Sequence, residues 1–288
     1  MVQVPPVMQP ADPYVLVATR YGTMLANRCD VYIGQALIEY GEYCEIETQF
    51  LLQFINRPGT IVEVGANIGS QTVALAKAAR TVGADVVAFE PQPFVFQNLC
   101  ANLALSALDN VTAWPFACSG EAGTVWLKCP DYRQAGNFGG IRCHTQAMAG
   151  GTQMPCVRLD DMIRGRNVYL MKVDVEGFEL QVLQGAQETL AKRRPLLYVE
   201  NDQVAKSPPL IEYLWKQGYR LWWHLVPLFN PDNFRGKKHD RFTKLKAFNM
   251  FGVPKEVKFS PPGWKEILDS AHHPLATQTS PLDKKAAS

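Results

Sequence analysis

Short apolar runs alternate along the chain with segments whose apolar residues recur every three or four positions. Thr60–Val64 and Val86–Phe89 are runs of the first kind, which are typical of buried parallel strands. Helices are predicted over Ser70–Arg80 and around Phe96–Leu103, where apolar residues return on one helical face. This alternation predicts an α/β protein with a doubly wound, mostly parallel sheet.

The alternation of predicted strands and helices continues in the second half of the chain, and it is followed by two strands that are expected to pair differently. Val168–Val173 and Pro195–Val199 are further predicted parallel strands, and a helix is predicted over 177–193 between them. Tyr219–Trp223 and Phe248–Val253 are predicted to close the sheet as an antiparallel pair. The fold is therefore expected to be Rossmann-like with an antiparallel last strand.

Two stretches depart from this rhythm. Strands predicted at Gly123–Leu127 and Met154–Leu159 enclose a glycine-rich segment, which indicates a β-hairpin insertion over about 120–160. The N-terminal stretch is expected to form a cap with a short strand near Asp30–Ile33 and a helix over Ile46–Ile55. The predicted organisation is an N-terminal cap at 1–58, a main domain at 59–256 and a C-terminal extension at 257–288 that is partly disordered.

Composition narrows the setting without naming a function. The 288 residues carry 29 basic and 27 acidic side chains, a net charge of +2 that gives no support to nucleic-acid binding. No signal peptide, no apolar run long enough to span a membrane and no zinc-ligand spacing among the seven cysteines is evident, so a cytoplasmic protein with reduced thiols is expected. A homo-oligomer stays open.

The best-defined motif is the turn after the first predicted strand of the main domain. Glu63 lies two residues before Gly65-Ala66-Asn67-Ile68-Gly69-Ser70, which leads into a helix. Glycines there let a ligand lie against the backbone, and the helix N-terminus offers free N–H groups. The spacing is not the Gly-x-Gly-x-x-Gly of dinucleotide sites, and an acid at Glu63 repels phosphate but suits a cation. These features favour S-adenosylmethionine (SAM), with contacts expected from Glu63, Gly65, Ala66, Asn67, Gly69 and Ser70.

Two further strand ends extend the predicted cofactor site. Glu90-Pro91 follows the second strand, where a carboxylate can accept hydrogen bonds from both ribose hydroxyls. A third parallel strand is predicted at Asn110–Trp114. Phe116 and Ala117 follow it, where the fold by analogy places the adenine.

The reacting end of the ligand is expected at the end of the fourth strand, beside Asp174 and Glu176. Either carboxylate can accept a proton from a substrate hydroxyl, and Asp174 is also expected to contact the cofactor. The pair could hold a divalent cation, although no metal is required, and Glu176 could instead cap the next helix. Lys172 has the same facing as Asp174 and is expected to pair with it. His144, in the insertion, is a further candidate base because an imidazole titrates near neutral pH.

These segments together resemble the FkbM family of SAM-dependent methyltransferases. The resemblance rests on Val62–Gly69, Phe89–Pro91, Val157–Asp161 and Met171–Ala186, and it is most specific at Lys172-x-Asp174-x-Glu176-Gly177. It covers the chain from Tyr40 to Pro254, and one departure is Glu63, where the family more often has Asp. It implies a class I methyltransferase with Glu63, Gly65, Asn67, Gly69 and Glu90 on the cofactor and Asp174 and Glu176 at the reaction centre.

The resemblance implies an enzyme that methylates hydroxyl groups of small molecules, sugars or natural products. The near-neutral charge and the lack of a long apolar run lead us to expect neither a nucleic acid nor a membrane as partner. Two other functions stay open at this point. An NAD-linked oxidoreductase would share the ribose-binding acid, and a non-catalytic module would use the SAM fold for binding alone.

Overall fold

A seven-stranded sheet forms the centre of the molecule in the computed structural model, which describes residues 9–276. Five neighbouring strands pair in parallel. The sixth strand runs antiparallel to them, and the seventh, at the edge, pairs antiparallel with the sixth. In spatial order the strands are β12 (Tyr219–Pro227), β13 (Lys246–Pro254), β11 (Leu196–Glu200), β10 (Val168–Val173), β3 (Gly59–Val64), β4 (Ala84–Phe89) and β5 (Val111–Trp114).

The central strands are buried on both faces, as their continuous apolar runs predict. All six residues of β10 are buried, and helices cover both sides of the sheet. The predicted antiparallel pairing at the end of the chain is confirmed, because β13 pairs antiparallel with both β11 and β12. The backbone N–H of Asp174 donates to Val64 O at 3.0 Å, so the carboxyl ends of β10 and β3 lie side by side.

The helices follow the predicted order, with one correction. The predicted helix over 177–193 is broken into two at Gly185-Ala186. A Cβ at Gly185 would lie 2.0 Å from Ser119 O, so only glycine fits against this neighbouring backbone at the point where the helix is interrupted. Asp160 then caps the second piece by accepting the Thr189 N–H at 2.9 Å. The helices are α1 (Ile33–Tyr40), α2 (Glu45–Leu52), α3 (Thr72–Thr81), α4 (Pro93–Leu105), α5 (Leu159–Met162), α6 (Glu179–Gln184), α7 (Gln187–Lys192) and α8 (Ser207–Lys216).

The N-terminal region differs from its prediction. The strand expected near Asp30–Ile33 is wrong, because the Asp30 carboxylate accepts the N–H groups of Tyr32 and Gly34 and so starts α1 at Ile33. A hairpin of β1 (Tyr14–Thr19) and β2 (Gly22–Asn27) precedes it.

The insertion is larger than a hairpin. The predicted pairing is confirmed in β7 (Gly123–Leu127) and β9 (Thr152–Arg158), which run antiparallel. β6 (Ala117–Ser119) adds to β9 in parallel and β8 (Cys143–His144) adds to β7, giving a separate four-stranded sheet in the order β6-β9-β7-β8. This small sheet stands over the carboxyl ends of the central strands.

The C-terminal extension is ordered as far as the structure describes it. The Ile267 N–H donates to Leu221 O at 2.7 Å, and the Trp264 ring stacks on His224 at 4.2 Å between centroids, so the segment covers the edge strand β12. The disorder expected near the end of the chain falls outside the described residues. Within residues 9–276, no helix is long and apolar enough to cross a membrane. The boundaries at 58 and 256 stay predictions.

Candidate functional site

A cavity of about 300 Å³ lies where the carboxyl ends of β3, β4, β10 and β11 meet. The insertion closes one side through Asn137, Ile141 and Cys143, and the α1–α2 region closes another through Tyr43 and Cys44. This is the edge at which open α/β sheets bind ligands. The three strand-end acids predicted from the sequence, Glu63, Glu90 and Asp174, all line this one cavity.

The glycine turn brings two strands into close contact. Gly65 has a φ of +88°, and a Cβ there would lie 1.8 Å from Asp174 O. Gly65, Ala66, Asn67 and Ser70 line the cavity, as predicted from the sequence. Gly69 is not placed on the cavity wall. Its φ is +83° and its missing side chain makes room for Leu99, which lies 2.8 Å from an ideal Cβ position, so packing under α3 and α4 explains this glycine.

Glu90 is the most ordered acid of the site. It is buried, and each of its carboxylate oxygens accepts a backbone N–H, Oε2 from Asn67 at 3.0 Å and Oε1 from Gln92 at 2.9 Å. Burial raises the pKa of Glu90 to about 7, against the lowering effect of these hydrogen bonds. Because each carboxylate oxygen has two lone pairs, both can still accept a hydroxyl from a ligand.

A buried lysine holds the acids at the centre of the site. Lys172 is 3% exposed and its Nζ donates to Asp174 Oδ2 at 2.8 Å, which confirms the predicted pair. Burial lowers the pKa of Lys172, but the charges of Asp174, Glu63 and Glu47 hold it above its ordinary value. Burial raises the pKa of Glu63 and of Glu47 to about 7, and Lys172 opposes this rise.

Glu47 ties this centre to distant parts of the chain. Its Oε1 accepts from Asn249 Nδ2 at 2.8 Å and its Oε2 from Gln71 Nε2 at 3.3 Å. Gln71 and Asn249 themselves line the cavity. α2, α3, β10 and β13 therefore meet in one buried polar network under the ligand.

Glu176 faces the cavity and does not cap the next helix. Its φ of +57° is unusual for a residue with a side chain, and it lines the cavity with Asp174. Glu179, the first residue of α6, instead orders the preceding turn, because its Oε1 accepts the N–H groups of Val175 at 3.3 Å and Gly177 at 2.8 Å. Burial raises the pKa of Glu176 to about 8, with further contributions from nearby carboxyl groups such as Asp174, while Arg142 opposes the rise.

The opposite end of the cavity is apolar. Phe116, Ala117 and Cys118 line it, and the Phe116 ring stacks on Trp114 at 5.7 Å between centroids with planes 11° apart. Pro91, which follows Glu90 in the chain, also lines the cavity. The structure thus brings the predicted adenine-side residues together with the predicted ribose acid.

His144 does not face the cavity. It is exposed on β8, where its neighbour Cys143 is the residue that lines the cavity. Successive side chains on a strand point to opposite sides, and the pairing of Cys143 with Leu127 turns the thiol inward. The structure therefore does not place His144 on the cavity wall, and its role as a base stays a prediction.

Several lining residues were missed from the sequence. Glu200 and Asp202, at the end of β11, line the cavity beside Asp174 and Glu176, and Tyr43, Gln71 and Asn249 complete its polar wall. Glu200 carried a usable signal, since it ends an apolar strand on an acid in the same way as Glu63, Glu90 and Asp174 do.

A divalent cation has no obvious set of ligands here. Over residues 9–276 no group of three or more His, Cys, Asp or Glu side chains has an arrangement that could hold a metal ion. The Asp174 carboxylate, one of the two ligands considered, is instead bonded to the Lys172 ammonium.

The strand order, the antiparallel β13 and the acid-lined cavity define a class I SAM-dependent methyltransferase fold. The model of the methyltransferase FkbM domain matches residues 63–221. A curated relative, methyltransferase sdnD of Sordaria araneosa, is 31% identical over 221 residues, which cover 66% of this chain and 85% of the relative. The chain belongs to the FkbM family of SAM-dependent methyltransferases. This replaces both the NAD-linked and the non-catalytic alternatives.

Solved structures give more distant likenesses. The FkbM methyltransferase of Methylobacillus flagellatus KT is 15% identical with a TM-score of 0.46, and the match covers 68% of this chain but 44% of that longer one. A precorrin-6y C5,15-methyltransferase of Geobacter metallireducens GS-15 is 12% identical with a TM-score of 0.44, over 73% of this chain and 87% of that one.

Proposed function

We propose that this methyltransferase transfers the methyl group of SAM to a hydroxyl of a small molecule, a sugar or a natural product. The observation that carries the proposal is that Asp174 and Glu176 line the same cavity as Glu90, the acid proposed to bind the ribose. A carboxylate beside the methyl group supplies what a neutral hydroxyl lacks, because the hydroxyl must lose a proton as its oxygen attacks.

The SAM molecule is proposed to lie across the carboxyl ends of the parallel strands in a single orientation. The adenine would rest between Phe116, Ala117 and Pro91, the ribose hydroxyls would donate to Glu90, and the amino-acid end would lie against the turn from Gly65 to Ser70. Glu63 would supply negative charge beneath it. This order leaves the methyl group near Asp174.

Glu176 is proposed to be the general base. A base is most effective when its pKa lies near the working pH, and burial brings the pKa of Glu176 to about 8. Asp174, fixed by Lys172, is proposed to position the reacting groups and to balance positive charge as the methyl group moves from sulfur to oxygen. Holding both reactants in line supplies a large part of the rate, up to about 7–11 kcal/mol in the best cases.

The acceptor can be sought by its product. Purified protein would be incubated with SAM and a panel of sugars and hydroxylated natural products, and each mixture would be analysed by mass spectrometry for the gain of one methyl group. The proposal expects the new methyl group on oxygen, located by fragmentation, together with one S-adenosylhomocysteine (SAH) for each methyl transferred. Transfer to nitrogen or carbon in the best acceptor would contradict it.

A further inference from the structure

Four carboxyl groups, here called the carboxyl cluster, lie together at the end of the cavity away from Phe116: Asp174, Glu176, Glu200 and Asp202. Strand register explains why. Val173 of β10 lies opposite Val199 of β11 in a parallel pair, so the next residues, Asp174 and Glu200, are neighbours. Glu176 and Asp202 each follow two residues later, and all four line the same space.

Two buried oxygens at this site are left without partners. Glu200 Oε2 and Glu63 Oε2 have no hydrogen-bond partner within the described part of the chain, and the Glu63 side chain is 1% exposed on the cavity wall. Buried polar atoms are nearly always satisfied in folded proteins. An unsatisfied pair in a cavity therefore points to a ligand that brings positive charge or hydrogen-bond donors.

The cations near the cluster are already engaged or lie outside it. Lys172 is bonded to Asp174, and the Arg142 side chain is exposed on the insertion. His273, on the C-terminal segment, has its Nε2 on Asn201 O at 2.9 Å.

Further acids face the cluster from other elements, namely Glu47 on α2, Glu63 on β3, Glu90 after β4 and Glu179 on α6. Burial holds the pKa of Glu200 well above its ordinary range, and repulsion from Asp174, Glu176, Asp202 and Glu179 adds to this rise. A cation entering the cavity would relieve that repulsion.

We propose that the carboxyl cluster recognises the positive charge on the donor sulfur, so that the cavity binds SAM in preference to its product SAH, whose sulfur is neutral. The inference rests on the proposed methyl transfer from SAM but not on which acceptor is used. In the transfer the S–CH3 bond breaks and the acceptor O–CH3 bond forms, while the sulfur keeps the electron pair and becomes a neutral thioether. The attraction to the cluster is lost at that moment, which favours product release.

Three ligands share the adenosine and amino-acid ends but differ in the charge at the sulfur position. Comparing them distinguishes recognition of charge from recognition of shape. SAM carries a sulfonium, sinefungin carries an ammonium at the same place, and SAH carries neither. We expect isothermal titration of the intact protein at pH 8 to show SAM and sinefungin binding at least about tenfold more tightly than SAH, a difference of about 1.4 kcal/mol. Binding of the two cations should also release protons, seen as a dependence of the heat on the ionisation enthalpy of the buffer.

A matched pair of variants assigns the preference to the cluster. Glu200→Gln keeps the shape of the side chain and removes its charge, so it should reduce the SAM-to-SAH preference while leaving SAH affinity near the parent value. Asp109→Asn is the control, because the Asp109 side chain is 90% exposed and lies outside the cavity.

The outcomes are separable. Equal affinity of the parent protein for SAM, sinefungin and SAH would overturn the inference, as would an equal loss for all three in a folded Glu200→Gln protein. If that variant does not fold, the comparison of the three ligands on the parent protein still decides. No binding of SAM at all would instead overturn the proposed function.

Discussion

The two ends of the cavity are built differently, although both are lined by buried acids. At the donor end, both oxygens of Glu90 accept backbone N–H groups, so this carboxylate is held in one orientation before any ligand arrives. At the transfer end, Glu200 Oε2 has no partner among the described residues and Glu176 sits at a positive φ. The first arrangement suits a part of the ligand that does not change. The second suits a part whose charge changes during the reaction.

The largest effect is expected from removing the proposed base. Glu176→Gln should lower turnover about 10²- to 10⁴-fold, because the acceptor hydroxyl would have no group to take its proton. SAM affinity, measured by titration, should fall far less than turnover, because the other three acids of the carboxyl cluster remain. Asp161→Asn, an acid on α5 outside the cavity, is a matched control. If turnover is unaffected while SAM affinity falls, Glu176 belongs to the donor end instead.

The pH dependence of turnover should report the same group. Because burial raises the pKa of Glu176 to about 8, its carboxyl group is mostly protonated, and inactive as a base, below that pH. Turnover at saturating SAM should therefore rise with pH and level off above about 8, with a fall of about tenfold for each pH unit further below. A profile already flat from pH 5.5 upward would argue that this carboxyl group does not take the proton.

Gly65 lies where the turn after β3 contacts the backbone of Asp174, so a substitution there tests this close contact. Gly65→Ala places a Cβ 1.8 Å from Asp174 O at a φ of +88°, and it should cost about 3 kcal/mol of unfolding free energy or more. Gly83→Ala separates the two causes, since Gly83 has a φ of +70° but no atom within 4 Å of its Cβ position. Denaturant unfolding should show a loss of about 1–2 kcal/mol for the control. Equal losses would mean that the close approach to Asp174 is relieved by small shifts.

A smaller effect is expected when the donor end alone is altered. Glu90→Ala should weaken SAM binding by about 1–3 kcal/mol, because the ribose hydroxyls lose their acceptor. Titration calorimetry measures this, with Asp109→Ala as the surface control and circular dichroism to establish folding. An unchanged SAM affinity in a folded Glu90→Ala protein would mean that Glu90 does not bind the ribose hydroxyls.

The smallest effect should come from His144. Because this side chain is exposed and directed away from the cavity, His144→Ala should change SAM binding and stability by less than about 0.5 kcal/mol and leave turnover near the parent value. A loss of turnover comparable with that of Glu176→Gln would indicate instead that His144, in the insertion, is the base.

Much of the site was predictable because its parts are local in sequence. An apolar strand that ends on an acid, and a glycine turn that opens a helix, are visible in short windows, and parallel strands bring their ends together by rule. Glu63, Glu90 and Asp174 were found in this way. Glu200 obeys the same rule, because it follows the predicted strand Pro195–Val199, but it is not among the residues predicted for the site.

The remainder depended on tertiary register. Whether Cys143 or His144 faces the ligand follows from the pairing of Leu127 with Cys143, which no local pattern specifies. Likewise, Asp30 could be read as part of a strand, but its carboxylate binds the N–H groups that begin α1. The role of Glu47 required knowing that α2 packs beside β13.

The bond between Glu47 and Asn249 spans 202 positions of the chain. During synthesis, β10 and the glycine turn emerge long before β13 does, and until then Glu47 lacks the amide donor of Asn249 and the cavity lacks one wall. Donor binding can stabilise a chain only when the binding site exists. A nascent chain that ends before residue 249 would therefore gain little protection from SAM.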